Sequence, residues 1–89
     1  MTREELKALD DSISWEEKNN YGKNPFEEIA EGLLLLNKFP GNRGVCAEHD
    51  IIYAHGPDVL AKMSEEDCRT MLLLGWHWNK NVDCWASHT

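Results

Sequence analysis

The segment from Asn24 to Gly41 restricts the fold more than any other part of the chain. Asn24 is a helix-capping residue and Pro25 suits the first helical position. Glu27 and Glu28 then fall in the first turn, where the helix dipole favours negative charge. Phe26, Ile29, Ala30, Leu33 and Leu36 recur at helical spacing and predict a buried stripe. Lys38 stands near the end, and Pro40-Gly41 stops the helix. Leu34 and Leu35 widen the apolar arc beyond one face, which permits a homodimer through this helix. Burying a leucine contributes roughly 1.5–3 kcal/mol. In a chain of 89 residues, whose core is thin, such a helix anchors the fold.

The remaining elements follow from local signals. Thr2 stands three residues before Glu5, the spacing of a capping box, and Leu6, Leu9 and Ile13 give a narrow helical stripe. One helix is therefore expected from Thr2 to about Lys18, loosely packed, with Trp15 just beyond the stripe. Residues 19–24 are polar and form a break. Glu48 to Ala54 reads as one strand centred on Ile51, Ile52 and Tyr53. Val59-Leu60-Ala61 suggests a short turn that plugs the core. Ser64 caps a third helix loaded with Glu65, Glu66 and Asp67, Met63 can staple against Cys68, and Gly75 supplies a left-handed stop. Trp76-His77-Trp78 and Cys84 to His88 read as a hairpin closed by residues 79–83. Its period of two sets Trp76 and Trp78 opposite His77, and Trp85 and Ser87 opposite Cys84, Ala86 and His88. The order predicts a single α+β domain over 1–89. It comprises an acidic front (1–23) and a core (24–89) built on a three-stranded, mainly antiparallel sheet with two or three helices on one face.

Charge narrows the choice of partner. The chain carries sixteen acidic and nine basic residues, a formal net charge of −7. Phosphate backbones and anionic membranes repel such a chain. Glu4, Glu5, Asp10, Asp11, Glu16, Glu17, Glu27, Glu28 and Glu31 all lie in the first 31 residues. They form either a solvated face or a surface that meets a basic groove on another protein. No apolar run reaches the roughly 18–20 residues of a membrane span. The acidic start, Met1 to Glu5, lacks the apolar stretch of a secretory signal. A cytoplasmic location with reduced thiols at Cys46, Cys68 and Cys84 is therefore expected.

Ala47-Glu48-His49-Asp50-Ile51-Ile52-Tyr53, then Ser64-Glu65-Glu66-Asp67, Leu74-Gly75-Trp76-His77-Trp78 and Asp83-Cys84-Trp85, form a pattern. Over residues 45–89 it resembles short uncharacterised proteins of phages and bacterial mobile elements. The resemblance implies a small α+β domain in a host cytoplasm, with no catalytic residues to carry over. Short acidic proteins of that origin commonly bind and block host proteins, defence complexes among them, so the analogy favours an inhibitory binding role.

Three sets of residues are candidates for chemistry. Cys46 and His49, with Cys84 and His88, supply two sulfurs and two nitrogens, a possible zinc set if the pairs meet; the plainer alternative is core thiols and surface histidines. Glu48, His49 and Asp50 offer acid–base groups for a small enzyme. In a strand, however, His49 faces away from both carboxylates. Trp76, Trp78 and Trp85 are large anchors for a core or an interface. Trp76 and Trp78 fit the core, and Trp85 is the expected exposed contact. Together these features favour a non-catalytic protein-binding module without a cofactor. It would act by steric and electrostatic blocking of a host protein with a basic surface.

Overall fold

In the computed structural model, residues 1–40, 45–48 and 50–88 are described, Glu48 by its backbone alone. The elements run α1 (Arg3–Ser12), α2 (Trp15–Asn19), α3 (Pro25–Leu36), β1 (Val45–Glu48), β2 (Ile51–Ala54), α4 (Pro57–Leu60), α5 (Glu65–Leu73), β3 (His77–Asn79) and β4 (Cys84–His88). The fold is α+β. The sheet has four strands in the order β1-β2-β4-β3, all antiparallel neighbours, in place of the three expected.

The fourth strand, β1, lies mostly ahead of the predicted strand and shares only Glu48 with it; the Ile51–Ala54 part of that strand is β2, with which β1 forms a hairpin. Glu48 pairs with Ile51, and Asp50 between them takes a positive φ of 63°. Asp tolerates the left-handed region better than most side chains, so the chain reverses there. The predicted alternation of Glu48 and Asp50 on one strand face is lost with it.

The first helix is also divided. Ile13 and Ser14 are extended, and Ser14 accepts from the Glu17 backbone N–H while Glu17 accepts from Ser14 N–H. This second capping box starts α2 and competes with continuation of α1. An ion pair between Lys18 Nζ and Asp10 Oδ1 at 2.6 Å ties the two helices together. Within the acidic front, α1 is anchored by Leu6, Leu9 and Ile13, which are buried members of the core, whereas α2 buries no residue.

One face of the sheet builds that core. Ala54, Trp85 and Trp78 stand in one cross-strand row, and Ile52 and Ser87 in the next. Val59 and Leu60 from α4 and Cys68, Met71 and Leu72 from α5 pack with them. Met63 and Cys68, placed to staple the start of α5, are both buried. Burial pushes the Cys68 thiol up to about 11, so it remains protonated as a core side chain. Gly75, at φ 86°, ends the helical turn after α5.

The contact between α3 and Trp76 is unusually close. The Trp76 ring lies against the helix backbone, where its Nε1–H donates to the Glu28 carbonyl at 2.9 Å. A Cβ on Gly32 would overlap that indole nitrogen. The closest approach to α3 is thus made at a glycine; of the predicted stripe, Leu36 is buried, Leu33 packs against the core, Ile29 is half-buried and Ala30 is exposed. Phe26, predicted to be buried, is 85% exposed.

Candidate protein-binding surfaces

Exposed apolar side chains gather on α3. At 100° per residue, Phe26, Ala30 and Leu34 share a face, turned away from the buried Gly32 and Leu36. Leu34 is 66% exposed. Leu35, its expected companion in a homodimer contact, packs against the core, which leaves Leu34 alone of that pair on the surface. Beside Leu34 lies an apolar groove of about 360 Å³ lined by Leu33, Leu34, Leu36, Asn37, Val45, Ala54 and His55. Val45 contributes to it because β1 is an edge strand, with β2 on one side only.

The carboxylates of the front divide into two groups. Glu5, Glu17 and Glu27 each accept the N-cap N–H of their own helix. The Thr2 backbone N–H, with its hydroxyl, holds the Glu5 carboxyl below its ordinary value. Asp10 pairs with Lys18, Glu17 with Arg69 at 2.9 Å, and Glu31 with Lys23 at 3.3 Å. Five of the nine expected contact acids are therefore engaged by the fold itself. Glu4, Asp11 and Glu16 make no ion pair among the described residues. Glu28 is half-buried, its carboxylate turned toward Gly75.

Trp85 corrects the expectation of an exposed aromatic, being 0% exposed. β4 is a central strand, flanked by β2 and β3, so its helix-side residues are covered from both flanks. Trp85 Nε1–H donates to Met63 Sδ at 3.3 Å, and the Trp78 ring meets it edge-on at 5.8 Å. The aromatic that the structure does expose is Trp15, at 76%. Its signal was present in sequence: Ser14 caps α2, which sets Trp15 in a first helical turn of a five-residue helix that buries no residue.

Among the described residues, Cys46, Cys84 and His88 of the expected zinc set do not converge. His49 lies outside the described residues. Cys46 is exposed on β1, Cys84 is buried on β4, and His88 is exposed at the end of β4. Cys46 stands in the row of Tyr53 and Ala86, two residues along β4 from Cys84. Standard strand spacings put the Cys46 and Cys84 Cα atoms about 12 Å apart. Zinc donors need to lie about 2.0–2.3 Å from one ion, which this register does not provide. Among the described residues, no group of three or more His, Cys, Asp or Glu side chains is placed to hold a metal.

Two histidines do meet. His77 pairs with Ala86, and His88 stacks on His77 with ring centroids 4.9 Å apart and planes 10° apart. Burial pushes the His77 imidazole below its ordinary value, and the neighbouring His88 adds to this, against a smaller opposing effect of Asp10. A depressed histidine value means that the unfolded chain binds the proton more readily. The His77 contribution to stability is therefore complete above about pH 6.5 and is lost as pH falls through the lower folded value. Thermal melts of wild type and His77→Asn are expected to show a steeper loss on the acid side for wild type. Parallel pH profiles would contradict the coupling.

A second concavity, of about 610 Å³, lies between α1 and the β3–β4 hairpin. Asp83 Oδ1 accepts from Arg3 Nη1 and from Trp78 Nε1, both at 3.1 Å, and so joins the two walls at one end. No helix among the described residues is long and apolar enough to cross a membrane. Comparison with protein-family models, curated proteins and solved structures yields no match.

Proposed function

We propose that this chain is a small, non-enzymatic protein-binding module that blocks a host protein in the cytoplasm. The α3 face and its adjoining groove form the contact. The carrying observation is the exposure of Phe26 and Leu34 on one helix face, continuous at Leu34 with an apolar groove. Contiguous exposed apolar side chains rimmed by polar residues mark interaction surfaces. Glu27 borders the same face and Glu16 follows the exposed Trp15. With a net charge of −7, these favour a partner that presents an apolar anchor inside a basic rim. The partner is read as a host protein from the resemblance to phage and mobile-element proteins. Its place among defence complexes rests on the same analogy.

The test compares wild type with a Phe26→Ser, Leu34→Ser double variant as affinity baits. Both substitutions replace exposed side chains and are expected to leave stability within about 0.5 kcal/mol per site. A protein retained by wild type and lost from the double variant, with retention weakening as salt rises, supports the reading. Equal retention by both baits excludes the α3 face.

A further inference from the structure

The concavity between α1 and β3, about 610 Å³, is larger than the groove beside α3, about 360 Å³, and carries charged side chains at both ends. Its size lies within the roughly 300–1,000 Å³ of ordinary ligand sites. Leu6 and Leu72 form an apolar floor, and the half-buried Trp78 forms one wall. His77, Trp78 and Lys80 all line it, although His77 and Trp78 point to opposite faces of the sheet. A cavity touching both lies along the margin of β3. That margin is the outer edge of the sheet, since β3 pairs with β4 alone.

The two walls run in opposite directions. Arg3, at the start of α1, bonds Asp83, which follows β3. Asp10, near the end of α1, acts electrostatically on His77 at the start of β3. One end of the groove therefore holds Arg3, Glu4, Lys80 and Asp83, with Lys7 next along α1; the other holds Asp10, Asp11 and His77. Arg3 neutralises Asp83, and Lys18 neutralises Asp10. Lys7 and Lys80 then outweigh Glu4 at the first end, and Asp11 is left at the second. The groove is polar along its length, positive toward Lys80 and negative toward Asp11. From Arg3 to Asp11 an α-helix rises about 12 Å. Five residues of an extended strand span about 13 Å between the first and the last.

We propose that this groove accepts an extended peptide segment that adds antiparallel to the outer edge of β3. A carboxylate side chain at its N-terminal end lies toward Lys7 and Lys80. An apolar side chain in the middle rests on Trp78 and Leu72, and a cationic side chain at its C-terminal end lies toward Asp11. Main-chain hydrogen bonds to β3 supply general affinity, and the alternate side chains facing α1 supply selectivity, as in strand addition elsewhere. This site is separate from the α3 face, and its occupancy is independent of that reading.

The probe is the blocked pentapeptide acetyl-Glu-Thr-Leu-Thr-Lys-amide, titrated into isotopically labelled full-length protein. Saturable shifts of the His77, Trp78 and Lys80 amide signals are expected. A Lys7→Glu, Lys80→Glu double variant, altered only at exposed positions, is expected to bind about tenfold more weakly, since it reverses the charge that faces the peptide carboxylate. The Phe26→Ser, Leu34→Ser variant is expected to bind the peptide unchanged, which separates this test from that of the α3 face. The proposal is overturned by the absence of saturable shifts, by equal binding of the uncharged analogue acetyl-Gln-Thr-Leu-Thr-Gln-amide, or by tighter binding of the charge-reversed peptide.

Discussion

Gly32→Ala is expected to destabilise the chain by about 2 kcal/mol, although alanine is the better helix former. Propensity alone favours alanine by about 1 kcal/mol in a helix interior. Against this, the added methyl falls on the Trp76 indole nitrogen. The ring must withdraw from α3, and overpacking of this kind costs roughly 1–3 kcal/mol. Withdrawal also breaks the bond from Trp76 Nε1 to the Glu28 carbonyl, a loss of about 1 kcal/mol. Urea unfolding followed by tryptophan fluorescence measures the difference. In a Trp76→Leu background the clash is absent, and the same substitution is expected to become neutral or stabilising, a coupling that only direct contact produces. If Gly32→Ala alone proves as stable as wild type, the ring does not lie on the helix backbone.

Trp85→Ala is expected to cost about 3–5 kcal/mol, the range for deleting a buried aromatic. Total stability of a domain is about 5–15 kcal/mol, so a loss at the upper end of that cost takes a domain at the lower end of that range to about half unfolded. Trp85 is fully buried, donates to Met63 Sδ and meets the Trp78 ring edge-on. Trp15→Ala removes the same side chain from an exposed site, where the change should stay within about 0.5 kcal/mol. Thermal melts of the two variants make the comparison. Similar melting temperatures would contradict the assignment of one tryptophan to the core and the other to the surface.

These two sites mark where reading along the chain succeeds and where it stops. The caps are local. Thr2 with Glu5, Asn24 with Glu27 and Ser64 with Asp67 make reciprocal hydrogen bonds three residues apart. Such pairs need nothing from the rest of the molecule, and the three helices they start were legible. Ser14 with Glu17 obeys the same rule. It was missed because the apolar spacing of Leu6, Leu9 and Ile13 suggested a single uninterrupted helix. The terminal hairpin was legible because its alternation is carried within fifteen residues.

The candidate binding surfaces were less legible. An apolar arc on α3 states that something covers part of it, not which part. The choice fell to Trp76, 44 positions beyond Gly32, which seats on the glycine and turns Phe26 outward. Likewise the groove along β3 requires α1 and the hairpin to lie side by side, a contact between residues 80 positions apart at Arg3 and Asp83.

Sequence alone determined the α+β class, the starts of three of the helices, the terminal hairpin and the excess of negative charge, because each depends on neighbours a few residues apart. Tertiary structure decided the fourth strand, the central position of β4, the burial of Trp85 and the exposure of Phe26. Each of these depends on which element arrives from far along the chain to occupy a given face, and no local spacing encodes that arrival.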